Sequence, residues 1–250
     1  MTTASAGSVR VPIQTCCSGR GFAAAAGCSK SAAEPVGSAP PAHASGAAVV
    51  ATDPAAGMAA RTGKAVPEAW VCSAALPHLP FAGESFDVAL AAFVLNHVVD
   101  PAAALTELRR VLRTGGRLSV SIWDHDEHNR CLAVVSEAAR EASDHTGRSG
   151  PADFSPINAY TDTDTLAVLL RDTGLREVSV HRVRWVHQVP TAKWWRDVLG
   201  GTVRTAARIE ELDSEQTQAA LDAYLRNVAS YIHGDLLELP CSALVAEGTR

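Results

Sequence analysis

The sequence predicts an α/β fold, a doubly wound and mostly parallel sheet with an antiparallel last strand and a small helical cap. Short apolar runs alternate with helix-period segments, the pattern of strands covered by helices. One of those helices, between Asp100 and Gly116, carries start and stop signals at both ends and joins two clear strands. At 250 residues the chain can bury one substantial core with a small appended subdomain.

Residues 1–46 are rich in Ala, Ser, Gly and Pro, and Pro35, Pro40 and Pro41 interrupt any helix. They are expected to form an atypical, poorly ordered segment outside the main domain. Val9–Thr15 is their best strand candidate, weakened by Pro12. The domain is expected to span 47–250. It opens with a buried strand, Ala47–Thr52, that ends at Asp53. A short helix over Ala55–Thr62 follows Pro54, and Ala69–Cys72 reads as a third strand. Phe86–Phe93 and Arg117–Trp123 are the next two. In the helix between them, Asp100 caps the first amides and Pro101 takes the first helical position. Leu105, Leu108, Val111 and Leu112 form its buried stripe, and Gly115-Gly116 is expected to end it.

Leu132–Ser143 and Thr163–Thr173 read as helices, the second stopped at Gly174, with a polar loop over 144–159. Glu177–Val183 and Trp185–Val189 read as extended. Thr191–Leu199, Val203–Leu212 and Ser214–Tyr231 read as helices, and Ser242–Ala246, after Pro240, as the last strand. Residues 185–240 are therefore expected to be a helical cap inserted before that strand.

Composition narrows the function. A net charge of −5 without runs of one sign argues against a nucleic-acid partner. No stretch of about 18 apolar residues marks a membrane span, and no secretory leader is visible. The six cysteines, Cys16, Cys17, Cys28, Cys72, Cys131 and Cys241, contain no C-x-x-C pair, so no zinc site is expected. Reduced thiols point to the cytoplasm. The cluster Asp124, His125, Asp126, Glu127 and His128 invites a metal reading, but polar loops at strand ends more often line a pocket. Trp185, Trp194 and Trp195 either line an apolar acceptor site or glue the cap to the core.

The segments Leu-Pro-Phe (79–81), Ser-Phe-Asp-Val (85–88) and Arg-Val-Leu-Arg-Thr-Gly-Gly (110–116) resemble the nucleotide-binding core of class I S-adenosylmethionine (SAM) dependent methyltransferases, in particular the group acting in ubiquinone and menaquinone biosynthesis. Thr114 stands where proline is usual. The resemblance covers about 47–250 and implies SAM as cofactor, a small-molecule acceptor, and methyl transfer to an O, N or C nucleophile. It assigns Asp53 to the ribose hydroxyls and Met58 to the adenine. Ser73 or Ala75 falls where the family usually carries an acidic residue for the adenine amino group, and neither supplies a carboxylate, which leaves the Ser73 hydroxyl and the backbone amides of Ala74 or Ala75 to serve the adenine. Ala91–His97 resembles the stretch beside the methyl group, with Ala92 against the cofactor and His97 as a candidate general base. The family's glycine turn should precede Asp53. Its only candidate is the run ending Ser18-Gly19-Arg20-Gly21, with Gln14, Cys16 and Ser18 at positions where the family has an acid and glycines.

Two other readings remain open. One is a relic of this fold with weakened SAM affinity. The other is a nicotinamide-dependent oxidoreductase, disfavoured because no G-x-G-x-x-G precedes Asp53. Oligomeric state is not legible in the sequence.

Overall fold

The computed structural model describes residues 22–27, 43–44, 46–124, 129–144, 159–160, 162–201 and 209–250. Eight strands form one sheet. They are β1 (Phe22–Gly27), β2 (Ala48–Asp53), β3 (Trp70–Ser73), β4 (Phe86–Ala92), β5 (Leu112–Trp123), β6 (Arg176–Pro190), β7 (Ile232–His233) and β8 (Leu236–Thr249). The order across the sheet is β3-β2-β1-β4-β5-β8-β6, with β7 paired to β8. β1 to β5 run parallel, and β8 is antiparallel to both β5 and β6. The expected sheet, mostly parallel with an antiparallel last strand, is the one observed. Strand order reverses between β1 and β4, and in open α/β sheets ligands bind beyond the carboxyl ends at such a point.

The helices are α1 (Ala56–Ala65), α2 (Pro101–Val111), α3 (Arg130–Asp144), α4 (Thr163–Asp172), α5 (Thr191–Gly201) and α6 (Ser214–Val228). The carboxylate of Asp100 accepts from the Ala103 amide at 2.9 Å, as the sequence predicted for the start of α2. Asp162 caps α4 in the same way, through the amides of Asp164 and Thr165. Asp213 and Gln216 close a reciprocal capping box at α6. The largest core lies between the sheet and α2 with α4. Leu105, Leu108, Leu118, Val120, Ile122, Leu166, Leu170 and Leu244 are fully buried there. On the opposite face, Val49, Ala51 and Leu90 form a smaller core with Val66, and α1 packs on β2 and β3. Further along that sheet, α3, α5 and α6 close a second core around Val134, Trp194, Tyr224 and Leu239.

Four expectations are corrected. First, the boundary at 46/47 does not bound the sheet, because β1 comes from within the segment set aside as atypical and sits between β2 and β4. The candidate Val9–Thr15 lies outside the described residues. Second, α2 stops at Val111, ahead of the glycine pair. Residues 113–116 loop out where β4 passes only Asp87, since Phe86 pairs with Leu112 and Val88 with Arg117. Gly115 takes φ +75°, and a Cβ on Gly116 would sit 2.8 Å from the Arg113 carbonyl oxygen, so both glycines serve this loop. Third, the helical insertion is shorter than 185–240. β6 runs unbroken through Trp185 to Pro190, and β8 begins at Leu236, so the helical part starts at Thr191. Fourth, Pro240 lies inside β8. It pairs with Val186 beyond the end of β5, where β8 has β6 alone beside it and a missing donor is tolerated. Most of Val203–Leu212 lies outside the described residues.

Candidate functional site

The carboxyl tips of the central strands line up in register. Asp53 on β2 pairs with Ser73 on β3. Gly27 on β1 pairs with Ala92 on β4, and Ala92 with Ser121 on β5. Four of the sequence-predicted positions, Asp53, Ser73, Ala74 and Ala92, thus fall on or next to one edge, and Met58 follows on the first turn of α1.

Asp53 is 5% exposed. Its Oδ1 accepts from the Ala55 amide at 2.8 Å, which fixes the turn through Pro54 into α1. That amide belongs to the residue before the helix, so Asp53 shapes the turn without capping α1 itself, whose start has no side-chain cap. The Ser73 hydroxyl donates to the Pro54 carbonyl at 3.4 Å, tying the β2 and β3 tips together. Ser73 and Ala75 are exposed, while Met58 and Ala74 are half-buried. Gly19 and Gly21 lie outside the described residues. In the chain they precede β1, whereas a glycine turn that approaches a cofactor must follow the strand. Gly27 ends β1, and the sequence reading did not single it out. Phe-Ala-Ala-Ala-Ala favours helix by propensity and carries no period of two, so no local signal marked it as a strand.

Beyond β4 the chain turns sharply at Phe93, a non-glycine residue at φ +57°. Its amide donates to the Ser121 carbonyl at 2.8 Å. Three residues on, Asn96 Oδ1 accepts from the Trp123 amide at 3.2 Å. These bonds lay the short 3-10 turn Leu95–His97 against the tip of β5. His97 is exposed at the end of that turn. The Phe93 ring stacks on Trp123 with centroids 4.4 Å apart and planes 25° apart. Trp123 in turn lies 6.0 Å from Trp185 on β6. Trp194 is buried against His187 and Trp195 is half-buried against Tyr224, so those two serve the second core, and Trp185 alone of the three extends the aromatic row.

Asp124 closes the tip of β5. Arg182 Nε and the Ser242 hydroxyl both donate to its Oδ2, the latter at 2.6 Å. A side chain already engaged by a guanidinium is a poor metal ligand, and among the described residues no group of three His, Cys, Asp or Glu is placed to hold a metal. His125 and His128 lie outside the described residues. Among the described residues no helix is long and apolar enough to cross a membrane.

The loop 79–81 is held from α2. Glu107 Oε1 accepts from the Leu79 amide at 2.8 Å, and Arg110 donates to the Phe81 carbonyl at 2.8 Å. The hydrogen bond from Arg110 holds the Glu107 carboxyl below the usual range, partly opposed by desolvation. Under this loop lies an apolar cavity of about 350 Å³, lined by Val50, Trp70, Cys72, Phe81 and Phe86. It lies against the flank of β2 and β3, and none of the strand-tip residues lines it. Burial pushes the Cys72 thiol up, which makes it a weak nucleophile.

The strand-tip row suits an adenosyl group at its ribose end, because a carboxylate on a fixed turn stands at the tip next to the reversal of strand order. It is poorer at the adenine end, where Ser73 offers a hydroxyl in place of a carboxylate.

A family model described as a methyltransferase domain matches residues 32–120. The chain is 34% identical over 108 residues to a demethylmenaquinone methyltransferase of Renibacterium salmoninarum, covering 40% of this chain and 46% of that protein. It is 31% identical over 175 residues to the protein of the same name from Mycobacterium sp. strain KMS, covering 67% and 68%. The chain thus spans about half the length of the first relative and about two thirds of the second. A crystal structure of a putative methyltransferase from Bacillus halodurans shares the fold, with a TM-score of 0.57 at 15% identity over 95% of this chain and 96% of that one.

Proposed function

We propose that this chain, which belongs to the class I SAM-dependent methyltransferases, transfers a methyl group from SAM to an O, N or C nucleophile of a small-molecule acceptor. The observation that carries the reading is the aligned row Ser73, Asp53, Gly27 and Ala92 at the carboxyl edge, next to the reversal of strand order.

SAM supplies an activated sulfonium, so the protein's task is to align donor and acceptor in a dry cleft. Asp53 would accept from the ribose hydroxyls, its carboxylate oriented by the Ala55 amide that donates to Oδ1. Met58, Ser73, Ala74 and Ala75 would flank the adenine. Replacing a carboxylate there by the neutral Ser73 forfeits a charge-assisted bond, worth about 1.5–3 kcal/mol. For the close backbone approach we favour Gly27 and Ala92 over Gly19 and Gly21, because Gly27 ends β1 and the other two glycines come before it. His97 would serve as the general base for an acidic acceptor, because the ordinary pKa of an imidazole lies near neutrality.

The stack of Phe93, Trp123 and Trp185 supports a flat, quinone-type acceptor like the one in the relatives' names. The free thiols Cys72, Cys131 and Cys241 support a reducing, cytoplasmic setting, and the dispersed charge supports a small molecule over a nucleic acid as partner.

The test is calorimetric titration with S-adenosylhomocysteine, on the wild type and on Asp53→Ala. The wild type should bind, and the variant should bind about tenfold or more weakly, as expected for a lost charge-assisted bond. No binding by either favours the relic reading, which the missing carboxylate at 73–75 already supports. Equal binding by both removes Asp53 from the cofactor site.

A further inference from the structure

We propose that Asp124 and Arg182 are positioning residues for the acceptor, an inference that rests on the function proposed above. Side chains alternate between the faces of a strand. Trp123 pairs with Ala243 and Trp185 with Cys241, so both indoles share the face that carries α3, α5 and α6. Asp124, one residue beyond Trp123, falls on the other face with Ser242 and Arg182, where α2 and α4 pack.

Five hydrogen bonds engage Asp124, and a sixth ties Asn129 to its neighbour Ser242. Arg182 reaches Asp124 from β6 with both Nε and Nη2. The Ser242 hydroxyl donates from β8. The Asp124 amide donates to the Ser242 carbonyl at 3.2 Å. The Asn129 side-chain amide donates to the carbonyls of Asp124, at 2.7 Å, and of Ser242, at 3.1 Å. The Asp124 side chain has no exposed surface, while Arg182 keeps 34% of its own. A buried ion pair adds little stability over an apolar filling of equal volume. What this one supplies is direction, since it fixes three strands at the point where the backbone leaves Trp123.

The other half of the aromatic row hangs from the same tip. Phe93 is tied by its amide to Ser121, and Asn96 to the Trp123 amide. Gripping β5 from behind therefore sets both rings of the Phe93–Trp123 stack in front. Loss of the grip should loosen the aromatic wall on the acceptor side and leave the Asp53 end, three strands away, as it was.

The test labels the five tryptophans with 5-fluorotryptophan and reads their fluorine resonances, assigning Trp123 and Trp185 by Trp123→Phe and Trp185→Phe. In Asp124→Asn these two resonances should shift or broaden while those of Trp70 and Trp194 hold. Affinity for lawsone, a hydroxynaphthoquinone, should fall about tenfold, and affinity for S-adenosylhomocysteine should stay within about twofold, because misplacement acts on the acceptor side alone. If Asp124→Asn unfolds and all five resonances collapse, Arg182→Lys reads the same signals, since it keeps the charge but cannot make the two-pronged contact. Unmoved Trp123 and Trp185 resonances overturn the proposal, as does a wild type that does not bind lawsone. A wild type that fails to bind S-adenosylhomocysteine counts against the function itself, and the fluorine resonances then still decide whether the ion pair positions Trp123.

Discussion

At the scale of single residues, burial decides more than charge. Tyr224 is 1% exposed, and its hydroxyl has no hydrogen-bond partner among the described residues. Desolvation pushes the phenol up to about 12. An acid whose folded pKa exceeds its unfolded value keeps its full contribution below the unfolded value, about 10, and loses it as pH rises toward about 12. Tyr224→Phe should therefore melt no lower than the wild type at neutral pH, with a gain of up to about 1 kcal/mol from removing an unpaired hydroxyl. It should also lose the alkaline decline. Scanning calorimetry at neutral and alkaline pH checks both, and a clear fall in Tm at neutral pH would show that the hydroxyl is paired. Glu107 has the opposite sign. Its carboxyl is depressed by Arg110, so its contribution is present above the ordinary glutamate range and is lost as pH falls through the depressed value. Glu107→Gln should cost about 0.5–1 kcal/mol at neutral pH, as for a partly exposed pair, and should flatten the acid limb of the stability profile. Thermal melts across the acid range would refute this if the two profiles stayed parallel.

At the scale of elements, local signals were legible and long-range pairings were not. The start of α2 was readable because Asp100 and Pro101 act within one turn. Its end was read too late, because Gly115-Gly116 also serve the bulge opposite Asp87, and only the partner strand shows which role wins. Gly116→Ala should destabilise the protein by about 1–3 kcal/mol, since the new Cβ meets two backbone oxygens, those of Arg113 at 2.8 Å and Asp87 at 3.1 Å. Leu108, fully buried on the core stripe of α2, should cost about 2–5 kcal/mol when cut to Ala. Urea unfolding measures both, and a midpoint unchanged in Gly116→Ala would mean that the loop relaxes freely. The Phe93 turn had no local signature, since a large side chain at φ +57° is adopted only where Ser121 holds the backbone and Trp123 stacks on the ring.

At the scale of the whole molecule, the question is which part of the chain completes the sheet. β1 lies between β2 and β4, so deleting residues 1–27 should open two inner edges at once. That truncation should not melt cooperatively and should elute as aggregate, as judged by circular dichroism melts and size-exclusion chromatography. A monomer with a sharp melt would mean that the sheet closes without β1. The sequence by itself determined the α/β class, most strands from Ala48 to Trp123, the capped α2 and the place of Asp53 at a strand tip. Each of these rests on period, capping or apolar runs within a few residues. Only the tertiary structure decided that an alanine run fills the middle of the sheet, that β6 and β8 extend as one long pair, and that Asp124 answers to Arg182 and Ser242. Those outcomes depend on partners far away along the chain, and a residue's own neighbours in sequence carry no record of them.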